Sequence, residues 1–269
     1  MSNNTIGFTY RADNWWLQPV AILTGLCAFI IYSTWAGMQG AYYYYEPYLS
    51  PFYSPLLFVK QGVPGGASLS HSWLGTWPAW WPDFFLLPAS PAVLILIFPL
   101  SFRLTCYYYR KAYYRAFTWT PPACAVGAIS QKNYKGETGL LTFQNFHRYA
   151  LYTAIIFLFI LYYDAAQAFI YKGRFGAGIG TLVLLINPTL LALYTLGCHS
   201  FRHLVGGDTD CFSCSNADKA RYGLWKRVTY LNERHQLFAW LSLFWVGFSD
   251  FYIRMVSMGI IRDYNTWGM

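Results

Sequence analysis

Five stretches of this chain are apolar almost throughout, and polar or basic segments separate them. They run Gln18–Met38, Pro88–Tyr108, His147–Ile170, Ile179–Leu204 and His235–Ile260, and each is about the ~20 residues that a helix needs to cross the hydrocarbon core of a bilayer. The pattern predicts one all-α membrane domain over residues 1–269, a polytopic bundle of five transmembrane helices. The second stretch carries Pro88, Pro91 and Pro99; a proline at a helix start is tolerated and one within a span kinks it, so this helix is expected to bend. Seventeen mostly polar residues precede the first apolar run with no basic segment leading into it. No cleavable signal peptide is expected, and the first span is expected to persist.

Composition agrees with the pattern. Of the 269 residues, 56% are hydrophobic, 21% aromatic and only 11% charged, against roughly 25% charged in soluble domains. The formal charge of +8 could suggest nucleic acid, but the cations sit in short blocks between apolar runs, where topology signals lie, so no nucleic-acid partner is expected. With the N-terminus cytoplasmic, the inside collects Arg11, seven basic residues from Arg103 to Arg148 and six from Arg202 to Arg234, fourteen of the nineteen. That bias predicts an N-terminus inside, a C-terminus outside and a multi-pass plasma-membrane protein. The long outer connection, Gln39 to Leu87, is dense in Tyr, Trp and Pro and suits a cap at the headgroup level.

This topology puts four of the five histidines on the cytoplasmic rim. His147 opens the third span, His199 and His203 close the fourth, and His235 opens the fifth; His71 alone lies outside. The stretch "LGCHSFRHLVGGDTDCFSCS" then adds cysteines. His199 and His203 are four apart and share a helix face, Gly206 and Gly207 turn the chain, and Cys211 and Cys214 follow as C-x-x-C, giving H-x3-H-x7-C-x2-C. Cys198 points about 100° from His199 and reads as a bystander.

Four chemistries compete for this cluster. A Cys211–Cys214 disulfide is not expected in a reducing cytoplasm. Zinc matches a ligand set of two His and two Cys. A Rieske-type [2Fe-2S] cluster takes the same set, with imidazoles on one iron and thiolates on the other, and spacing does not separate the two. Haem b would need facing histidines within the span, whereas the rim histidines sit near helix ends.

The five-span layout, the basic rim, "QNFHRY" at Gln144–Tyr149 and above all "GCHSFRH" with "CFSC" resemble the membrane anchor subunit of actinobacterial-type succinate dehydrogenase over essentially the whole chain. The resemblance implies an anchor with no catalysis of its own, which passes electrons to a membrane quinone, menaquinone being the expected one, through a Rieske-type [2Fe-2S] cluster. His199, His203, Cys211 and Cys214 are its candidate ligands. It also implies a flavoprotein subunit, an iron-sulfur subunit and a small additional membrane subunit as partners, with lipid around the spans and a higher oligomer open.

A quinone pocket needs apolar walls and a few polar groups. His147, Arg148, Tyr149 and His235 are the candidates near the cytoplasmic face. Asp164 and Asp250 lie about 25 and 22 Å along their helices from the rim histidines, where charge is costly. An i,i+4 pair with Arg254 accounts for Asp250; Asp164 has no local partner. The three are candidates for a distal proton or quinone site. The competing class is a membrane scaffold or transporter in which zinc staples the loop; no inverted repeat supports a transporter.

Overall fold

The computed structural model describes residues 7–81, 88–129, 138–207 and 209–268. The end of the expected outer connection, residues 82–87, therefore lies outside the described residues.

The helices are α1 (Leu17–Gln39), α2 (Pro91–Ile95), α3 (Ile97–Leu104), α4 (Tyr107–Ala112), α5 (Thr138–Gln144), α6 (His147–Gln167), α7 (Ile179–Leu196), α8 (His199–Gly206), α9 (Asn216–Glu233) and α10 (His235–Ser257). Among the described residues three helical stretches are long and apolar enough to cross a membrane: Leu17–Gln39, Thr142–Gln167 and Ile179–Leu196. α10 is as long as α1 and runs along α7, but carries Asp250 and Arg254 within it.

The bundle core is written in helical periodicity. On α6 the buried residues are His147, Ala150, Leu151, Ala154, Leu158, Leu161 and Ala165, a stripe that recurs every three or four positions. The opposite stripe, Tyr149, Tyr152, Ile156, Phe159 and Tyr163, is exposed and apolar, as a lipid-facing surface must be.

α7 and α10 pack antiparallel along a register that two clusters fix. Leu184 packs with Ile253 and Ala165, while Tyr194 shares a cluster with Leu243, Ala239, Phe102, Cys106 and Cys198. The bundle thus has two ends. One gathers His147, His199, His203 and His235; the other meets a cap of residues 40–77, with the hairpins β1–β2 (Tyr44–Tyr45, Tyr48–Leu49) and β3–β4 (Ile170–Tyr171, Arg174–Phe175). The C-terminal tail is tied to the cap end by Asp263, which accepts hydrogen bonds from the Tyr48 and Tyr252 hydroxyls (2.8 and 2.6 Å) and from Gly180 N (2.9 Å). Gly180 is required there, because a Cβ would come within 2.6 Å of the Tyr48 ring.

Two expected helices take a different form. Pro88–Tyr108 is not one bent helix: α2 stops at Ile95, α3 starts at Ile97, and a turn at Thr105–Cys106 precedes α4. Pro99 has no N–H for the Ile95 carbonyl, so the break falls where that hydrogen bond is lost. The fourth element stops at Leu196 and not at Leu204. Gly197 ends α7, and Cys198, with extended backbone (φ −73°, ψ 155°), caps α8 through Sγ, which accepts from Phe201 N at 3.2 Å.

Candidate metal centre

The loop cluster does not assemble as its spacing suggested. Cys211 and Cys214 are joined in a disulfide, against the expectation of free thiols, so neither sulfur is available as a thiolate ligand. His199 and His203 sit on α8 with exposed side chains. Among the described residues no group of three or more His, Cys, Asp or Glu is drawn together as a single metal ion would require. The loop set therefore does not fit the cluster or a four-ligand zinc in this form. The C-x-x-C spacing that suits a metal also suits a short disulfide, and the structure takes the second option.

Inside the bundle lie two further cysteines and two histidines, from four neighbouring elements; they too form no close group of three or more, which a two-iron cluster with two protein ligands on each iron does not require. Cys106 comes from the turn that the broken second element creates, Cys198 from the α7–α8 junction, His147 from the first turn of α6 and His235 from the first turn of α10. Cys106, Cys198 and His147 are buried, and Cys106 Sγ lies 3.4 Å from His235 Nε2.

Aromatic rings hold both imidazoles in place. Phe102 stacks on His147 at 4.5 Å and Tyr194 on His235 at 4.8 Å, with Phe102 edge-on to Tyr194 at 5.4 Å. His147 Nδ1 is 3.0 Å from Thr105 Oγ1. Arg103 lies 4.7 Å over the Tyr194 ring and donates to Tyr109 Oη (3.1 Å), the Ala239 carbonyl (3.2 Å) and Ser242 Oγ (3.0 Å). Arg103 is thereby committed to structure. His235 Nδ1 and the Tyr194 hydroxyl are enclosed and make no well-formed hydrogen bond. A buried polar atom left so is costly; the other ring nitrogen, Nε2, is the one that faces the Cys106 thiol. The donor set, two thiols and two imidazoles, fits a Rieske-type cluster in kind.

Beside this centre runs a narrow cleft lined by Gln18, Ile22, Tyr108, Lys111, Arg115 and Gln236. Tyr108 and Gln236 stand within two residues of Cys106 and His235. Trp240 Nε1 donates to the Tyr108 oxygen at 2.9 Å. At the rim, exposed Cys124 accepts from Arg115 Nη2 at 3.6 Å, and that guanidinium holds its thiol below the usual range.

Of the residues expected at a quinone, His147 and His235 come together, whereas Arg148 and Tyr149 turn outward. At the cap end the expected i,i+4 pair is present: Arg254 Nε is 3.2 Å from Asp250 Oδ2, both side chains fully buried. Asp250 also accepts from Tyr32 Oη (2.6 Å) and Ser50 Oγ (2.5 Å). Asp164, which lacks a partner on its own helix, accepts from the Ser54 hydroxyl.

Sequence reasoning passed over Cys106 and set Cys198 aside. Cys106 stands alone among aromatics, with no spacing signal, and enters the site only because the second element breaks beside it. Cys198 is turned inward by the helix end at Gly197, which the assumption of a continuing helix hid.

The comparisons with known proteins converge. Residues 17–259 match the family model described as actinobacterial succinate dehydrogenase subunit SdhC. The structure is similar to a chain of the Mycobacterium smegmatis Sdh1 complex in the apo form, with a TM-score of 0.83 and 41% identity, covering 98% of this chain and 94% of that one. No curated protein matches.

Proposed function

Because the chain belongs to the actinobacterial succinate dehydrogenase SdhC family, and is therefore a membrane subunit of an oxidoreductase complex, we propose that it carries electrons from an iron-sulfur subunit to membrane quinone through the buried His/Cys centre. The observation that carries this reading is the placement of Cys106, His147, Cys198 and His235, from four separate elements, at one end of the bundle, with Cys106 Sγ 3.4 Å from His235 Nε2. These four would hold a [2Fe-2S] cluster, in place of His199, His203, Cys211 and Cys214. Such a cluster supplies one-electron transfer at a potential above that of all-thiolate clusters.

The chain's own residues do the rest. Phe102 and Tyr194 fix the two imidazole planes. The adjacent cleft receives the quinone head: the Tyr108 hydroxyl donates to a carbonyl oxygen, Gln18 and Gln236 orient the ring, and Lys111 with Arg115 stabilises the negative charge that reduction creates. The basic residues of α8 and α9 (Arg202, Lys219, Arg221, Lys226 and Arg227) supply a docking face for the iron-sulfur subunit, and through it for the flavoprotein subunit. The exposed stripe of α6 meets lipid or the small additional membrane subunit. In this reading the histidine end faces the cytoplasm and the chain crosses the plasma membrane five times, with α2 to α4 as the broken second crossing and α10 as the fifth.

The test is a split between two activities of the purified complex. Tyr108→Phe and Gln236→Ala should leave succinate oxidation by a soluble dye unchanged and lower quinone reduction several-fold, mainly through KM. Equal loss of both activities, or loss of neither, would remove the quinone from this cleft.

A further inference from the structure

The Cys211–Cys214 disulfide lies in the loop between α8 and α9. Phe212, Ser213 and Cys214 are exposed and Cys211 is partly so, and the bond is therefore open to attack by a dissolved thiol. In the orientation inferred above, this loop is on the cytoplasmic side. Structural disulfides belong to oxidising compartments, whereas those of a reducing cytoplasm are usually transient and serve catalysis or redox sensing. The two-residue spacing is also the one in which a thiol pKa falls and exchange is favoured.

The neighbours of the bond show what it holds. Phe212 stands between the two cysteines, and its ring lies 5.0 Å from Tyr222 and 6.3 Å from Trp225, which stack on each other at 5.9 Å. These rings carry two cations of the basic face: Arg202 lies 4.4 Å over Trp225 and Lys226 4.8 Å over Tyr222. Trp225 also backs onto Gly206, where a Cβ would come within 2.0 Å of its ring, and Arg221 donates to the Val205 and Gly207 carbonyls at 3.1 and 3.0 Å. The ring stack is thus part of the joint between α8 and α9, and Phe212 is the member that the loop supplies. Closing Cys211 to Cys214 fixes the backbone on both sides of Phe212. Opening it returns conformational freedom to that segment, and the Phe212 contact must then overcome that freedom.

We propose that Cys211 and Cys214 form a reversible dithiol/disulfide site for cytosolic dithiols, and that its state sets how firmly the iron-sulfur subunit docks on α8 and α9. The proposal rests on the orientation and the docking face inferred above. A thiolate of the dithiol attacks the exposed Cys214 Sγ and breaks the bond to Cys211, which leaves as a thiolate and takes a proton. The second thiol of the reductant then gives up its proton and attacks the reductant's own sulfur in the mixed disulfide; Cys214 leaves and takes a proton, and the reductant closes its disulfide. Two electrons and two protons pass from the dithiol to the pair. In the oxidised state Arg202 and Lys226 stand on a fixed ring stack. In the reduced state Phe212 leaves the stack, the two cations lose their fixed positions, and docking must supply the ordering that the disulfide had supplied.

The test uses the whole complex in membrane vesicles, incubated with dithiothreitol or with its oxidised form. Light iodoacetamide before unfolding and heavy iodoacetamide after full reduction, read by mass spectrometry on the peptide that holds Cys211 and Cys214, give the fraction of disulfide. Docking is read as the rate at which succinate–dye activity leaves the membrane in a high-salt wash. The wild type should pass fully and reversibly between the two states, and release should be at least threefold faster from the reduced one. Cys211→Ser with Cys214→Ser should release at the reduced rate in both buffers, and Phe212→Ala should do the same while its disulfide still exchanges. A pair that stays oxidised in dithiothreitol, equal release from the two wild-type states, or a redox response that persists in the double-serine variant would each overturn the proposal. Reduction of the pair by an impermeant phosphine from the cap side alone would overturn the orientation beneath it, and the proposal with it. Quinone reduction in the same vesicles reads the functional proposal separately: its absence from a wild type that exchanges and releases as expected would remove the quinone and support the switch.

Discussion

Replacing Arg254 with Met isolates the energetics of the buried charge at the cap end. The guanidinium bonds Asp250 at 3.2 and 3.3 Å, the Ala41 carbonyl at 2.7 Å, the Ala36 carbonyl at 3.3 Å and the Gln39 side chain, and it lies 5.3 Å over the Trp35 ring. Both members of the pair are fully buried. Removing one partner leaves Asp250 as an uncompensated charge, at a cost of about 3–5 kcal/mol. At about 2–4 °C per kcal/mol for a chain of this size, the thermal midpoint of the complex should fall by ~6–20 °C. Replacing both residues, as Asp250→Leu with Arg254→Met, removes the stranded charge and leaves mainly the Ser50 and Tyr32 hydroxyls without an acceptor, about 1–3 kcal/mol each. The double variant should therefore be less destabilised than the sum of the two single variants by about 3 kcal/mol or more. The assay is the loss of intrinsic fluorescence signal against temperature at one fixed scan rate, in one detergent. An Arg254→Met midpoint within 2 °C of the wild type, or a double variant that equals the sum of the singles, would refute the reasoning.

Three further outcomes are expected. Cys124 should react with a maleimide at pH 7 faster than the buried Cys106 and Cys198, and Arg115→Gln should slow it: the guanidinium lowers the thiol pKa and so raises the thiolate fraction at a given pH, and its loss returns the thiol toward the usual range. A reporter fused after Met269 should read as external and one inserted near Ser130, which lies outside the described residues, as cytoplasmic; both on one side would remove a crossing. Gly180→Val should shift the tail at Asp263 away from the cap, because a Cβ there meets the Tyr48 ring, and proteolysis of the C-terminal tail should accelerate; an unchanged cleavage rate would contradict the close approach.

The helical stripes of α1, α6 and α7 were legible in the sequence because bilayer-length apolar runs leave few alternatives. The Asp250–Arg254 pair was equally legible, since i,i+4 spacing is a local signal. What the sequence hid depends on where helices stop. The turn at Thr105–Cys106 and a helix end at Gly197 decide whether Cys106 and Cys198 point into the bundle, and neither leaves a trace in spacing. The C-x-x-C loop is a strong local pattern that serves two chemistries, a thiolate pair on a metal and a short disulfide, and only three-dimensional context chooses between them.

The central claim is that the buried centre, and not the loop, holds the redox group. Electron paramagnetic resonance of the reduced complex, together with iron and acid-labile sulfide content, tests it most directly. Cys106→Ser and Cys198→Ser should each abolish a Rieske-like signal and lower iron and sulfide by two atoms each per complex relative to the wild type, the content of one [2Fe-2S] cluster, while Cys211→Ser and Cys214→Ser leave both unchanged. A signal that survives in Cys106→Ser and disappears in Cys214→Ser would contradict the account and return the ligands to the loop.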